Sequence, residues 1–235
     1  AGKDVSKFSK SKFDILGIYN IDRGRDSCGV AVDGVSHKGV NLNKLYTDFI
    51  KNHSLYPKKF PTVIGHTRQA SAGNIVNLDN VHPFTFGIKN DVASFVGCHN
   101  GTLYNEDELA KKYKVDEVTY KMNTSPSNPE ITWETRRNKI DSEILLEIIY
   151  TSKNFKVLSD YIGAAALVFT NTNEPNVLYV FKGASKYYSY SQNAQELEER
   201  PLFYYKESKN SLYISSLQEP LEIIGGVANS DLFSF

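Results

Sequence analysis

Cysteine is almost missing from this chain: Cys28 and Cys98 are the only thiols in 235 residues. Two cysteines in a chain this long do not make a disulfide framework, and such sparse usage fits a reducing compartment. A charge surplus is missing too, because Lys+Arg and Asp+Glu both total 27. Without a basic excess there is no broad field to hold a polyanion, which argues against nucleic acid as a partner. The basic stretch Lys7, Lys10 and Lys12 reads as a solvated helix face. No apolar run approaches the ~20 residues needed to cross a bilayer, so no membrane partner is expected. The N-terminal stretch has lysines but no apolar signal-peptide core. Together these absences are read as a cytoplasmic location.

What is present is ordinary for a globular protein: 40% hydrophobic and 23% charged residues. The length suffices for one sizeable core, and residues 1–235 are read as a single domain. Val5, Phe8, Ile15, Leu16 and Tyr19 share one face at helical spacing, which predicts a helix over about 6–21. A turn at Arg23-Gly24 leads to a buried strand over 28–32, which turns back at Asp33-Gly34. A second helix is expected over 45–50, and a strand begins at 61–65 and runs to the polar cluster His66-Thr67-Arg68-Gln69. Strands over 84–86 and 92–96 follow, the second ending near Cys98-His99-Asn100-Gly101. Asn105 is placed to cap a helix reaching Tyr113. Residues 122–138, rich in Ser, Pro, Asn and Thr, read as a long surface loop. Asp141 stands where a helix N-cap belongs, ahead of Ile144, Leu145, Ile148 and Ile149. The last third is strand-rich, with strands over 164–170, 177–181, 202–205 and 212–215. Helices and batches of strands without strict alternation indicate an α+β layered domain.

Three polar clusters fall at strand ends or helix starts. Arg68 follows an apolar strand, where its planar fork can take a carboxylate through two parallel hydrogen bonds; a surface salt bridge is the competing use. At Asn100-Gly101, a side-chain amide and a backbone N–H offer two donors to a developing oxyanion, although Asn-Gly is also the commonest tight-turn dipeptide. Asp141 can hold an ammonium group or cap its helix. Jointly they make a carboxylate clamp, an oxyanion hole and an ammonium acceptor. That set recognises an α-amino acid whose side-chain carbonyl is attacked, and only a nucleophile is lacking.

Four stretches carry a family resemblance: Arg23-Gly24-Arg25-Asp26-Ser27-Cys28-Gly29, Gly65-His66-Thr67-Arg68-Gln69-Ala70-Ser71-Ala72-Gly73, His99-Asn100-Gly101-Thr102-Leu103 and Asp141-Ser142-Glu143. With His82-Pro83-Phe84 and Gly163-Ala164-Ala165-Ala166, they resemble the class II (N-terminal nucleophile) glutamine amidotransferases, in order and in approximate spacing, from about residue 13 to 216. The resemblance implies the four-layer αββα sandwich of the N-terminal nucleophile hydrolases. It also implies roles: Arg68 on the α-carboxylate of L-glutamine, Asp141 on its ammonium, Asn100 and Gly101 as the oxyanion hole, and Arg23 and Asp26 in support. Ser71 stands where the family often has a small hydroxyl near substrate. Gln69 and Ala72 stand where some members carry an aromatic and a histidine, so the pocket wall differs. In the family the thiolate of an N-terminal cysteine attacks the carboxamide, with its own α-amine as base. Ammonia leaves from a γ-glutamyl thioester, and water then releases glutamate. The ammonia passes to a synthase domain or subunit, and no cofactor is implied. The wording of the motifs is nearest the sugar-phosphate and purine-pathway branches.

The chain departs from the family at its start, which reads Ala1-Gly2-Lys3-Asp4 where the family has Cys-Gly and an apolar strand. Either Ala1 stands in the place of the nucleophile, or a first strand carrying Cys-Gly lies upstream; the polar Lys3-Asp4 favours the second account. Cys28 and Cys98 are read as core thiols. The spacing of His66, His82 and His99 fits no zinc pattern, so no metal is expected. The chain as written is therefore expected to be inactive. A glutaminase domain is the leading reading, and a glutamine-binding or structural module without chemistry is the alternative. Another N-terminal nucleophile hydrolase, such as an amide hydrolase, ranks third because it would not need both Arg68 and Asp141.

Overall fold

The computed structural model describes residues 10–40, 62–69, 78–115, 141–174, 177–184, 186–188, 194–196, 200–208 and 211–225. Helix α1 (Lys10–Asn20) continues into a 3-10 turn at Ile21–Arg23. Strands β1 (Ser27–Val32), β2 (Val35–Gly39) and β3 (Val63–Arg68) form an antiparallel sheet in the order β2-β1-β3. The β1–β2 connection is a two-residue hairpin, with Val32 opposite Val35 and both Asp33 and Gly34 at positive φ. Strand β2 is missing from the sequence reading, although an Asp-Gly turn after a strand predicts a returning partner.

Strands β4 (Phe84–Phe86), β5 (Phe95–Leu103), β6 (Gly163–Asn171) and β7 (Leu178–Ala184) make a second antiparallel sheet in chain order. Two further antiparallel pairs are β8 (Lys186–Tyr188) with β9 (Ala194–Glu196), and β10 (Phe203–Ser208) with β11 (Ser211–Ser215). The remaining helices are α2 (Glu106–Tyr113), α3 (Asp141–Ser152), α4 (Val157–Asp160) and α5 (Glu219–Ile223).

Three apolar clusters stack these elements. Leu16 of α1 and Leu221 of α5 pack with Phe203, Tyr205 and Tyr213 of the β10–β11 hairpin. Ala31 and Ile64 meet Val96, Cys98 and Val168 between the two main sheets. The largest cluster joins the outer face of the second sheet to α3, where Ile144, Leu145, Leu146 and Ile148 are fully buried. The layers run helix, sheet, sheet, helix, which is the αββα order expected. Period-2 alternation along β5 sends Val96 and Cys98 toward the first sheet. Gly97 and His99 point the other way, where a Cβ on Gly97 would strike Leu146 and His99 reaches Ser142.

Several local expectations are corrected. The second strand of the middle region spans Phe95–Leu103 rather than 92–96, and Val92 forms only an isolated bridge with Lys89. Asn100-Gly101 is therefore paired strand, opposite Ala166 and Ala165, and not a turn. Asn105 does not cap α2 with its side chain; it donates to the Asp160 carbonyl at 2.9 Å and accepts from the Ile162 N–H at 2.9 Å. Asp141 is the first helical residue of α3, and its carboxylate accepts from the Leu103 N–H of β5 at 3.0 Å. The helix expected over 45–50 and the loop over 122–138 lie outside the described residues, as do the first residues of the 6–21 helix.

Candidate active site

The cleft between the two sheets opens into a cavity of about 800 Å³, within the range of small-molecule sites. Its lining includes β3, Leu212–Ser216, and Phe13, Leu16 and Asn20 of α1. Arg23, Arg68, Gln69, Asn100, Gly101 and Asp141 all line it. Arg23 and Asp141, 118 positions apart in sequence, thus line one space, with β3 and β5 in opposing sheets between them in the chain. Ala1 and Ser71 lie outside the described residues.

Arg68 ends β3 and is 8% exposed. Burial pulls its guanidinium down from the ordinary value, while the carboxylates of Asp26 and Asp141 oppose that pull. Asp26 is tied to the same backbone, its N–H donating to the Arg68 carbonyl at 3.1 Å. Gly24 makes this approach feasible, since a Cβ there would lie 2.3 Å from the Arg68 carbonyl carbon. Gln69 is exposed at the rim.

Across the cleft, Asp141 is anchored to Leu103, and the Ser142 hydroxyl donates to its Oδ1 at 3.3 Å. The Ser142 oxygen also lies 2.8 Å from His99 Nδ1, within hydrogen-bond distance. Gly101 follows in the same strand. A Cβ there would fall 1.9 Å from the Ala164 carbonyl oxygen and 2.5 Å from His99 Nε2, so only glycine permits this pairing.

Three imidazoles line the cavity. The His66 and His82 rings lie 4.3 Å apart, and His82 meets the edge of Phe84 at 4.6 Å. Burial drives all three histidines toward the neutral form. His66 falls to about 4, and His82 and His99 also shift downward. Among the described residues, no group of three side chains is disposed to hold a metal ion. The thiols are no better suited to chemistry. Burial pushes Cys28 up to about 11 and raises Cys98 further, so neither is a thiolate at neutral pH.

Arg200, which precedes β10, lines the cavity and is not among the residues expected there from the sequence. Tyr161, just before β6, donates its hydroxyl to the Thr102 carbonyl at 3.1 Å. An Arg-Pro step ahead of a strand was the sole local sign of Arg200.

No family model matches the chain. It is 29% identical over 188 residues to glutamine–fructose-6-phosphate aminotransferase 2 of Mus musculus, covering 73% of this chain and 26% of that protein. It is 27% identical over 171 residues to 7-cyano-7-deazaguanine synthase 2 of Sulfurisphaera tokodaii, covering 68% and 32%. The solved glutamine phosphoribosylpyrophosphate amidotransferase of B. subtilis superposes with a TM-score of 0.52 at 20% identity, covering 92% of this chain and 41% of that one. The chain thus spans about a third or less of these curated relatives. In sequence it is similar to the class II glutamine amidotransferases, and its fold is the αββα fold of that N-terminal nucleophile type.

Proposed function

We propose that this chain is a glutamine-hydrolysing domain, which converts L-glutamine to glutamate and ammonia for transfer to an acceptor held by a synthase domain or subunit. The observation that carries this reading is the convergence of Arg68, Asp141 and Asn100-Gly101 on one cavity. Arg68 takes the α-carboxylate, and Asp141, braced by Leu103 and Ser142, takes the α-ammonium. The Asn100 amide and the Gly101 N–H receive the oxyanion as the carboxamide carbon becomes tetrahedral. Arg23 and Asp26 support the Arg68 side, and Ser71 and Gln69 complete the substrate wall.

The attacking thiolate comes from outside the described residues, because burial keeps Cys28 and Cys98 protonated. The relatives carry different names, which fits a common ammonia source joined to different acceptors.

The second reading, a glutamine-binding module without chemistry, is favoured by the same two inert thiols. Binding and hydrolysis separate the two. L-glutamine should bind this chain, and Arg68→Ala should weaken it by about 2–5 kcal/mol, as expected for loss of a buried charged contact. Unchanged binding in that variant would remove the amino-acid clamp and admit the amide-hydrolase reading. N-terminal sequencing and ammonia release on the protein from its native source then decide: a mature Cys-Gly start with turnover supports the enzyme, and binding without turnover supports the module.

A further inference from the structure

Asn20 ends α1 and lines the cavity together with Thr67, Arg68, Ser215 and Ser216. Its side chain makes three hydrogen bonds. The amide nitrogen donates to the Leu16 carbonyl at 2.7 Å and to the Ser215 hydroxyl oxygen at 3.1 Å, and the amide oxygen accepts from the Ser216 hydroxyl at 2.9 Å. The Leu16 carbonyl can only accept, so the network itself sets which way the amide points. The Ser215 oxygen also accepts from the Leu217 N–H at 3.1 Å. One side chain thus ties the end of α1 to the end of β11 and to the chain that runs on to α5.

The backbone of the same residue holds β3. Its carbonyl accepts from the Thr67 hydroxyl at 2.6 Å, one residue before Arg68. The residues that follow complete a collar around that strand end: Gly24 lies against the Arg68 carbonyl, and the Asp26 N–H donates to it at 3.1 Å. Among the described residues β3 and β11 belong to separate sheets, with no strand pairing between them. The Leu16–Leu221 cluster and the Lys12–Glu207 ion pair hold the β10–β11 hairpin to the body of α1, and Asn20 adds a polar tie at the helix end that leads into the collar. We infer that Asn20 is a positioning residue, which fixes the collar on Arg68 to the end of β11 and so holds the guanidinium where a ligand carboxylate meets it. A paired fork on a carboxylate is geometrically demanding, so a shift of about 1 Å in its support is felt as lost affinity. The inference rests on the assignment of Arg68 under the glutaminase reading and deepens it.

The test compares L-glutamine with 4-aminobutanamide, the same molecule without its α-carboxylate, by ligand-observed NMR titration of the full chain. Asn20→Ala should weaken L-glutamine about fivefold or more and change 4-aminobutanamide less than about twofold, because only the first ligand uses Arg68. Added to Arg68→Ala, the same change should weaken L-glutamine by less than about twofold, since the group it positions is gone. Ser216→Ala, which removes one of the three bonds, should show the same selectivity with a smaller loss, and it decides if Asn20→Ala does not fold. Equal weakening of both ligands marks a general loosening of the cleft and overturns the inference. Unchanged L-glutamine affinity in a folded Asn20→Ala protein, with Arg68→Ala still weakening it, overturns the inference alone. If Arg68→Ala has no effect, or the unaltered protein binds neither ligand, the glutaminase reading falls first and the inference falls with it.

Discussion

Gly101 shows how one residue can decide a site. Its sequence context, Asn100-Gly101, is the commonest signature of a tight turn, and on that signal alone a turn belongs here. The structure uses the glycine for space instead. The strand pairing sets Gly101 opposite Ala165, with the Ala164 carbonyl and His99 Nε2 where a Cβ would project. Gly101→Ala must push β6 or His99 aside, and His99 is linked through Ser142 to Asp141. Overpacking of this kind costs about 1–3 kcal/mol. The expected result is a lower midpoint in urea denaturation together with weaker glutamine binding. A variant that keeps the parental midpoint would mean that the backbone here yields freely, and the donor geometry assigned to Gly101 would lose its basis. The dipeptide was legible as a pair of donors, but its use in a strand was not, because nine residues of ladder override a two-residue preference.

At the scale of elements, local pattern located most helices and strands and missed what their polar residues do. The four apolar positions named in α3 are all buried, and α1 packs through Ile15 and Leu16 as its spacing implied. Asn105 is the instructive failure. Its place ahead of an acidic first turn made it a cap, yet its amide instead clamps the chain where α4 passes into β6. No local pattern could show this, since the Asp160 carbonyl and the Ile162 N–H lie more than fifty residues away. Tyr104 reinforces the junction, its N–H donating to the Ile162 carbonyl at 2.8 Å. Asn105→Ala should therefore behave as the loss of a tertiary clamp. Leaving backbone groups unpaired in a buried setting costs about 1–3 kcal/mol. Amide exchange should accelerate at Ile162 and the start of β6, more than within α2. Faster exchange confined to the first turn of α2 would restore the capping role.

For the molecule as a whole, the order of the motifs foretold the layered fold, but not that histidines of three segments would line one cavity. His66 comes from β3, His82 from the stretch before β4, and His99 from β5, so the histidines assemble only when both sheets meet. In the unfolded chain each protonates near 6.5; in the fold, burial depresses all three, repulsion from other rings adds to it at His66 and His82, and His66 falls to about 4. Arg68 and Lys38 add to the repulsion on His82. The sign follows from linkage. A base whose pKa is lowered by folding contributes its full stability above the unfolded value, and loses it as pH falls from about 6.5 toward the folded value. Stability should thus decline between pH 7 and pH 5, where ordinary carboxylates have scarcely begun to protonate. Each imidazole adds a slope approaching about 1.4 kcal/mol per pH unit at the acid end of that window. Urea midpoints at half-unit intervals will show this, and His66→Gln and His82→Gln should each flatten the curve. A flat profile from pH 7 to 5 would mean that these rings already carry protons in the fold. Such a result would also put further cations beside Arg68 and Arg200, and the charge balance on which amino-acid recognition rests would no longer hold.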